Sequence, residues 1–353
     1  MINQFQIEGE IAEALPFGSG HINETFRLKN RDPKGKDYLL QKINHHIFKD
    51  VDGMMNNIYL VCNHLQEVFA KVGEQESLEV ILSKEGKPYF QEESGDYWRM
   101  FDFKSELISY DIAETPEQIF QGARSFGIFM RSLANFPVEK LVDTIPRFHH
   151  VGYRINNLEV AVREDKVKRV KECKTLIEYA LSITQEVSRI QIAGESGLIP
   201  LRVTHNDTKF NNVLLTKEGK GRCVIDLDTV MPGYVHYDFG DGIRTTVCTA
   251  PEDEPDLEKI FLDKERFAAF SAGFLRETRD SLSEKEIEFL AVSGALFAYL
   301  MGVRFLTDYL EGDIYYKTHF PGQNLQRAKA QLYLCKCILA EEKELTQIIQ
   351  KYI

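Results

Sequence analysis

The period of the apolar positions changes along this chain. Between residues 14 and 43 it is short. ALPFGSGHINETFRL runs apolar, breaks at glycines, and alternates again at Ile22, Thr25, Phe26 and Leu28; a polar turn with Pro33 and Gly35 leads into YLLQKIN. These stretches read as strands joined by Gly-rich and polar turns. From 51 to 72 the period lengthens, and Met54, Ile58, Val61, Leu65, Val68 and Phe69 fall on one side of a helix. LEVILS and, after the turn GKPYF, DYWRMFDF add two strands. From Thr115 the pattern is mainly helical. Thr115-Pro116-Glu117-Gln118 has the form of an N-cap with Pro at the first helical position, and Phe120, Ala123, Phe126, Phe129 and Leu133 supply a core face. A second helical stretch covers about 154–191, a short β-rich region covers 201–228, and helices return from about 256. The layout is α+β. Residues 1–104 make a small β-rich lobe with one main helix, and residues 105–353 make a larger, mainly helical one.

Composition narrows the function classes. The 353 residues carry a net charge of −11, with acids and bases mixed along the chain. That argues against general nucleic-acid binding. The start MINQFQIEGE lacks a basic segment followed by an apolar one, and no apolar run was expected to reach the roughly 20 residues of a membrane span. The expectation is a cytoplasmic protein, a monomer, with no membrane partner. Six cysteines show no CxxC pair and read as reduced, packed thiols. His149 and His150 are a polar pair before a helix and are not read as metal ligands.

The segment 201–215, LRVTHNDTKFNNVLL, carries chemistry. His205, Asp207 and Asn212 form H-x-D-x-x-x-x-N ahead of an apolar strand. Phosphoryl transfer needs a carboxylate near the acceptor hydroxyl, oxygen ligands for a hard cation, and accurate positioning. Asp207 would face the hydroxyl and Asn212 a Mg²⁺ ion; a polar turn gives the same residue types without that role. Fourteen residues after Asn212, Asp226 follows the apolar Cys223, Val224 and Ile225, where a buried strand opens into a loop and a carboxylate can be held against a metal. Asp228 is two residues on and, on an extended backbone, points the same way. It is a candidate for a second metal, for substrate, or for loop capping. Asp238-Phe239-Gly240 comes later, in YDFGDGIR, after the loop MPGYVHY. It reads as a loop-to-helix junction, with Asp238 or Asp241 capping backbone donors.

HND-x4-N followed by V-I-D-x-D, after a small β-lobe with a lysine strand, resembles the aminoglycoside phosphotransferase and choline kinase superfamily. The longer strings VTHNDTKFNNVLL, VIDLDTVMPG, YDFGDGIRT, SGHINETF and RFLTDYLEGDIYYKTHFPGQNLQRAKAQ resemble the N-acetylhexosamine 1-kinase family over about residues 15–335. The resemblance implies a bilobal protein-kinase-like fold, with a nucleotide-binding lobe that ends in a hinge near 104. It also implies ATP and Mg²⁺ as cofactors, and phosphorylation of an N-acetylated hexosamine on its anomeric hydroxyl. Asp207 matches the catalytic base, Asn212 and Asp226 the metal ligands, and His205 a residue that braces the loop. Lys42 matches the strand lysine on the nucleotide phosphates. Its usual helix Glu partner is missing: Asn56 or Asn57 stands about there, and Glu67 is 25 residues past Lys42. The loop 17–23, with Gly18, Ser19 and Gly20, would cover the phosphates. Residues 100–103, with Phe101 and Phe103, fall where adenine would be held. Asp228, Thr229, Arg304, Tyr315 and Tyr316 are the candidates for the sugar, since Arg and Tyr offer fixed donors and a flat apolar surface. Arg304 could instead pair with Asp308, four residues on. The rival readings are a kinase of another small hydroxyl acceptor (an amino alcohol, an aminoglycoside or another sugar) and a nucleotide-binding protein without turnover.

Overall fold

The computed structural model describes residues 1–18, 22–73 and 75–353. The chain forms two compact units, each from several stretches. The first takes Met1–Asp111, Phe129–Pro146 and Asn211–Pro232; the second takes Ile112–Ile128, Arg147–Phe210 and Gly233–Ile353.

The first unit is built on an antiparallel sheet of order β1-β2-β3-β5-β4, from β1 (Ile11–Pro16), β2 (Glu24–Asn30), β3 (Tyr38–Ile43), β4 (Phe90–Gln91) and β5 (Tyr97–Asp102). Helix α1 (Val51–Val72) spans the stretch whose spacing predicted it. The Asp50 side chain accepts from the Gly53 N–H at its start, Gly73 at φ 75° closes it, and Met54, Ile58, Val61 and Leu65 are buried. LEVILS differs from its expectation. It makes isolated bridges, Val80 to Phe101 and Ser83 to Phe5, instead of a full ladder.

Cross-strand register decides which side chains share a face. Thr25, Gln41 and Arg99 form one row across β2, β3 and β5, and Glu24, Lys42 and Trp98 form the next. Strand period two sends these rows to opposite faces. Leu28, Tyr38, Leu40 and Met100 lie on the Lys42 face and make a core with Phe5 and Ile81. The hairpin of β7 (Val213–Leu215) and β8 (Gly221–Val224) belongs to this unit. Leu215 exchanges N–H···O bonds with Ile108, both 2.9 Å, and the Glu76 N–H donates to Arg222 O at 2.9 Å. The sequence boundary near 104 misses this return of the chain, because those bonds tie residues more than a hundred positions apart.

The second unit is mainly helical. The Gln118 N–H donates to Thr115 Oγ1 at 3.3 Å and the Thr115 N–H to Gln118 Oε1 at 3.1 Å, a reciprocal cap for α2 (Pro116–Ser132) with Pro at its first position. The single stretch expected over 154–191 is four helices: α3 (Val151–Glu164), α4 (Val170–Ser182), α5 (Thr184–Val187) and α6 (Arg189–Glu195). Asp165 (φ 39°) and Lys168 (φ 61°) break it, and Asp165 Oδ1 accepts from the Val170 N–H at 3.1 Å. Strand β6 (Arg202–Thr204) and the short β9 (Met231–Gly233) precede α7 (Val235–Thr246), which is followed by α8 (Lys264–Thr278), α9 (Glu284–Glu288), α10 (Leu290–Glu311), α11 (Gln323–Ala340) and α12 (Glu342–Ile349).

Two expectations change here. YDFGDGIR lies inside α7 and is not a loop-to-helix junction. Its glycines serve packing: a Cβ on Gly240 would collide with the Ser293 carbonyl, and one on Gly242 with the Phe270 ring. Helix α10 is long and apolar enough, by length and composition, to span a membrane, against the expectation that no run would be. It is the core helix of the unit, with α3, α7 and α11 packed on it.

Candidate active site

The loop after β6 is held by carboxylates that lie far away in sequence. The His205 and Asn206 N–H groups donate to the two oxygens of Asp238, at 2.9 and 2.7 Å. The Thr208 N–H donates to Asp241 at 3.0 Å, and the Thr208 hydroxyl donates to the Asp238 carbonyl at 2.6 Å. From inside α7, both acids thus cap the loop's donors, while the N-cap of their own helix, Tyr234, makes no side-chain capping bond. Burial pushes the Asp238 carboxyl up to about 6, against the pull of His205 and of the two N–H donors. Asn206 is left-handed (φ 65°), and its carbonyl lies 3.2 Å from His149 Nε2. A carbonyl only accepts, so His149 must carry its proton on Nε2. Burial, then Arg304, pull His149 down to about 3, so it is neutral at ordinary pH. His205 is fully buried with its ring edge-on to Phe126, centroids 5.4 Å apart. Asp207 is half-buried, with Lys209 Nζ at 3.0 Å. A residue with its neighbours fixed on both sides has little freedom in how it presents its carboxylate.

In the first unit, Asn212 and Asp226 come together at one end of the β7–β8 hairpin. Val213 pairs with Val224, and the Ile225 N–H donates to Asn212 O at 2.9 Å. Asp226 follows at φ 61°, ψ 60°, an uncommon conformation that Asp and Asn tolerate, and it is exposed. One carboxylate and one amide oxygen suit Mg²⁺ carried on phosphates, which keeps waters and needs few protein ligands. Among the described residues no group of three His, Cys, Asp or Glu could hold a metal alone. The extended backbone assumed for Asp228 is not present. Leu227–Thr229 is a 3-10 turn, which turns Asp228 inward to a buried position (4% exposed). There it meets Arg99 Nη1 and, at 2.8 Å, Asn23 Nδ2. Thr229 beside it is also buried.

Arg99 is a buried cation of this unit, at 2% exposure, and its Nε also donates to Gln41 Oε1 at 2.9 Å. Lys42 is on the other face of β3 and pairs with Asp96 at 3.0 Å. Parity explains this: of two adjacent strand residues only one can face Asp228, and here that residue is Gln41. Asn57 of α1 donates to the Val142 and Val230 carbonyls at 2.8 and 2.9 Å and accepts from the Val142 N–H at 3.1 Å, so it orients backbone and not Lys42. Phe101 is buried under Arg99, 5.2 Å from guanidinium carbon to ring centroid. The Phe103 N–H is taken by Asp37 O at 2.9 Å and its carbonyl by the Ser105 N–H at 3.0 Å, which leaves its ring, edge-on to Phe17, as what it can offer. Gly18 is at φ 80° with open space at its Cβ position; Ser19 and Gly20 lie outside the described residues.

The remaining candidates group in the second unit. Arg304 on α10 lies over the rings of Phe148 and Tyr316, at 5.4 and 5.6 Å. Asp308 accepts from the backbone N–H groups of Ile314, Tyr315 and Tyr316 at 3.0, 2.8 and 2.9 Å and from Asn324 Nδ2 at 2.8 Å. Its oxygens shape the loop that carries both tyrosines. Tyr315 is 63% exposed; the Tyr316 phenol oxygen is buried, with no hydrogen-bond partner among the described residues. Burial, then Arg304, pull Arg154 down to about 10, where it donates to the Phe148 carbonyl at 2.7 and 3.2 Å.

Residues 13–271 match the phosphotransferase enzyme family, APH. The chain belongs to this family. Among solved structures it is similar to an aminoglycoside phosphotransferase from Alicyclobacillus acidocaldarius subsp. acidocaldarius, at TM-score 0.63 and 14% identity over 97% of this chain and 94% of that one. It is similar to the amicoumacin kinase hAmiN in complex with AMP-PNP, Ca²⁺ and Ami, at 0.62 and 12% over 94% and 90%. It is also similar to the choline kinase LicA from Streptococcus pneumoniae, at 0.54 and 12% over 94% of each chain. At such identities the likeness establishes the fold: mixed α+β and protein-kinase-like, with a small antiparallel sheet and a larger helical part.

Several residues of this phosphotransferase were not picked out from sequence. Arg99 had a signal, a lone arginine inside the apolar strand YWRMF. Arg154 had none, His149 was noted only as one of a polar pair and Asp308 only as an ion-pair partner for Arg304, because each acts through backbone groups or rings that chain order does not show.

Proposed function

We propose that this phosphotransferase moves the γ-phosphoryl group of ATP to the anomeric hydroxyl of an N-acetylated hexosamine. The observation that carries the reading is the over-determined loop around Asp207, a carboxylate presented by fixed backbone in a chain of the phosphotransferase family. Asp207 orients the acceptor hydroxyl and takes its proton as the hydroxyl oxygen bonds to the γ-phosphorus and the bond to the β-phosphate oxygen breaks. Asn212 and Asp226 would hold Mg²⁺, which when bound supplies neutralisation of the phosphate oxygens. Gly18 and its neighbours would approach the phosphates, and the rings of Phe101 and Phe103 would flank the base. Lys42 reaches phosphate in this reading only by leaving Asp96; Arg99 and Asp228 organise the surroundings. Arg304, Tyr315 and Tyr316 support a sugar acceptor: a guanidinium and a buried phenol suit hydroxyls and an acetamido carbonyl, and the exposed Tyr315 ring suits an apolar sugar face.

The test is ADP release with Mg-ATP across N-acetylglucosamine, N-acetylgalactosamine, glucose, galactose, choline and an aminoglycoside. Turnover confined to the N-acetylated sugars is expected. Turnover confined to another acceptor overturns the sugar assignment. Asp207→Asn should lower kcat by about 100-fold or more while nucleotide binding stays near wild type; an unchanged rate would remove Asp207 from the chemistry.

A further inference from the structure

The buried ion pair of the first unit gains little stability from being charged. The side chains of Arg99 and Asp228 are 2% and 6% exposed. Taking two charges out of water costs about as much as their attraction returns, and well-packed apolar side chains in the same place are often as stable. What such a pair does do is fix geometry, and its neighbours show which geometry it fixes here.

Both members are tied on at their far sides. Arg99 Nε donates to Gln41 Oε1 at 2.9 Å, and Gln41 Nε2 donates to Thr25 Oγ1 at 3.0 Å, so the guanidinium is fixed across β2, β3 and β5. Asp228 Oδ1 accepts from Arg99, and its Oδ2 accepts from Asn23 Nδ2 at 2.8 Å. Asn23 Oδ1 accepts in turn from the Asn44 N–H at 3.0 Å. Each carboxylate oxygen is therefore held from the sheet. Asp228 lies in the middle of the 3-10 turn Leu227–Thr229, which starts directly after Asp226. The turn is fixed on either side as well: the Ile225 N–H donates to Asn212 O at 2.9 Å before it, and Asn57 donates to the Val230 carbonyl at 2.9 Å after it. Asp226 itself stands at φ 61°, ψ 60°. A non-glycine residue keeps that sparsely populated conformation only where its surroundings over-determine it. The carboxylate of Asp228 is the part of those surroundings that reaches the sheet.

We propose that Arg99 and Asn23 are positioning residues for Asp226: acting through Asp228, they clamp the turn that keeps its backbone left-handed and so aim its carboxylate at the cation. The inference rests on the reading of Asp226 as a Mg²⁺ ligand and deepens it in two ways. Asp228 becomes a strut instead of a second metal ligand or a sugar contact. Asn23, the last residue of the loop 17–23, ties the metal ligand to the loop read as covering the phosphates.

Three variants test it, with Asp226→Asn as the reference. Arg99→Met combined with Asp228→Leu replaces the pair by apolar side chains. Asn23→Ala removes one tether. Arg99→Lys keeps the charge and loses the planar fork. Three readouts are taken on each: Mn²⁺ binding to the protein–ADP complex by electron paramagnetic resonance, ADP binding in EDTA, and urea unfolding. The double variant should keep the wild-type urea midpoint and metal-free ADP binding, while its Mn²⁺ dissociation constant rises by about tenfold. Asn23→Ala should raise that constant several-fold, and Arg99→Lys should fall between wild type and the double variant. Should the double variant fail to fold, these two, which leave no buried charge alone, decide the matter. Wild-type Mn²⁺ affinity in Asn23→Ala and Arg99→Lys, with affinity lost in Asp226→Asn, would overturn the positioning role and leave Asp226 a ligand. Two Mn²⁺ ions per wild-type chain and one in the double variant would make Asp228 a ligand and overturn its role as a strut. No Mn²⁺ binding in the wild-type complex, or unchanged binding in Asp226→Asn, would overturn the reading of Asp226 and this proposal with it.

Discussion

Two loops of the helical unit use one device for different ends. The loop 205–208 is held by Asp238, which accepts two backbone N–H groups, and by Asp241, which accepts a third. The loop 313–316 is held by Asp308, which accepts three backbone N–H groups and the Asn324 amide. In both, a buried carboxylate on a helix satisfies donors that no ladder or helix can reach. The difference lies in what is presented. The first loop buries Asn206 and Thr208 on either side of one half-buried carboxylate, Asp207. The second leaves Ile314 and Tyr315 exposed, at 76% and 63%. On the proposed function the first presents a reacting group, which must be fixed within a fraction of an ångström, and the second a surface that receives a ligand, which needs a fixed backbone and accessible side chains.

The largest effect should come from breaking the first anchor. Asp238→Ala leaves two buried N–H groups unmet. It should cost about 2–4 kcal/mol of stability and lower kcat by about 100-fold, because Asp207 is no longer held. Urea unfolding and ADP release measure the two; a stable variant with wild-type kcat would show the anchor to be dispensable. Breaking the second anchor should act on affinity instead. Asp308→Ala should cost roughly 2–3 kcal/mol of stability and raise the acceptor KM several-fold, with kcat changed less. Equal losses in kcat from the two variants would erase the distinction between the loops.

The smallest effect is one of pH. Asp238 is raised to about 6 in the fold, against about 3.9 when unfolded, so its contribution to stability is present below about pH 4 and is lost as pH rises to 6. His149 is lowered to about 3, against about 6.5 when unfolded. Its contribution is present above pH 6.5 and is lost as pH falls toward 3. The two slopes oppose each other between pH 4 and 6, so wild-type stability should be nearly flat there. His149→Phe removes one slope, and its stability should fall as pH rises from 4 to 6. A flat profile in that variant would mean that Asp238 does not titrate in this window. The same variant should lower kcat by a few-fold through the lost bond to the Asn206 carbonyl, and His149→Gln should recover part of it.

Much of this was legible in the sequence because it is local. The 3.6 spacing from Met54 to Phe69 marked α1, the run Thr115 to Gln118 marked the start of α2, and the spacing of His205, Asp207, Asn212 and Asp226 marked the loop and hairpin of the candidate site. Sequence patterns say less where neighbours in the chain are not neighbours in space. Lys42 and Gln41 differ by one position, yet only register with Arg99 shows which faces Asp228. Asp228 was read on an extended backbone, and a single 3-10 turn buried it. YDFGDGIR reads as a loop-to-helix junction, but it lies inside α7, where Ser293 and Phe270 crowd its glycines.

By itself, then, the sequence determined the longer elements, the spacing of the candidate groups and the phosphotransferase family, since periodicity, capping and motif spacing act over a few residues. Only the tertiary structure decided what holds those groups: Asp238 under the Asp207 loop, His149 on the Asn206 carbonyl, Arg99 against Asp228, and Asp308 beneath the tyrosines. Each of these contacts joins residues brought together by packing, and hydrogen bonds and burial depend on distance in space, which chain order does not encode.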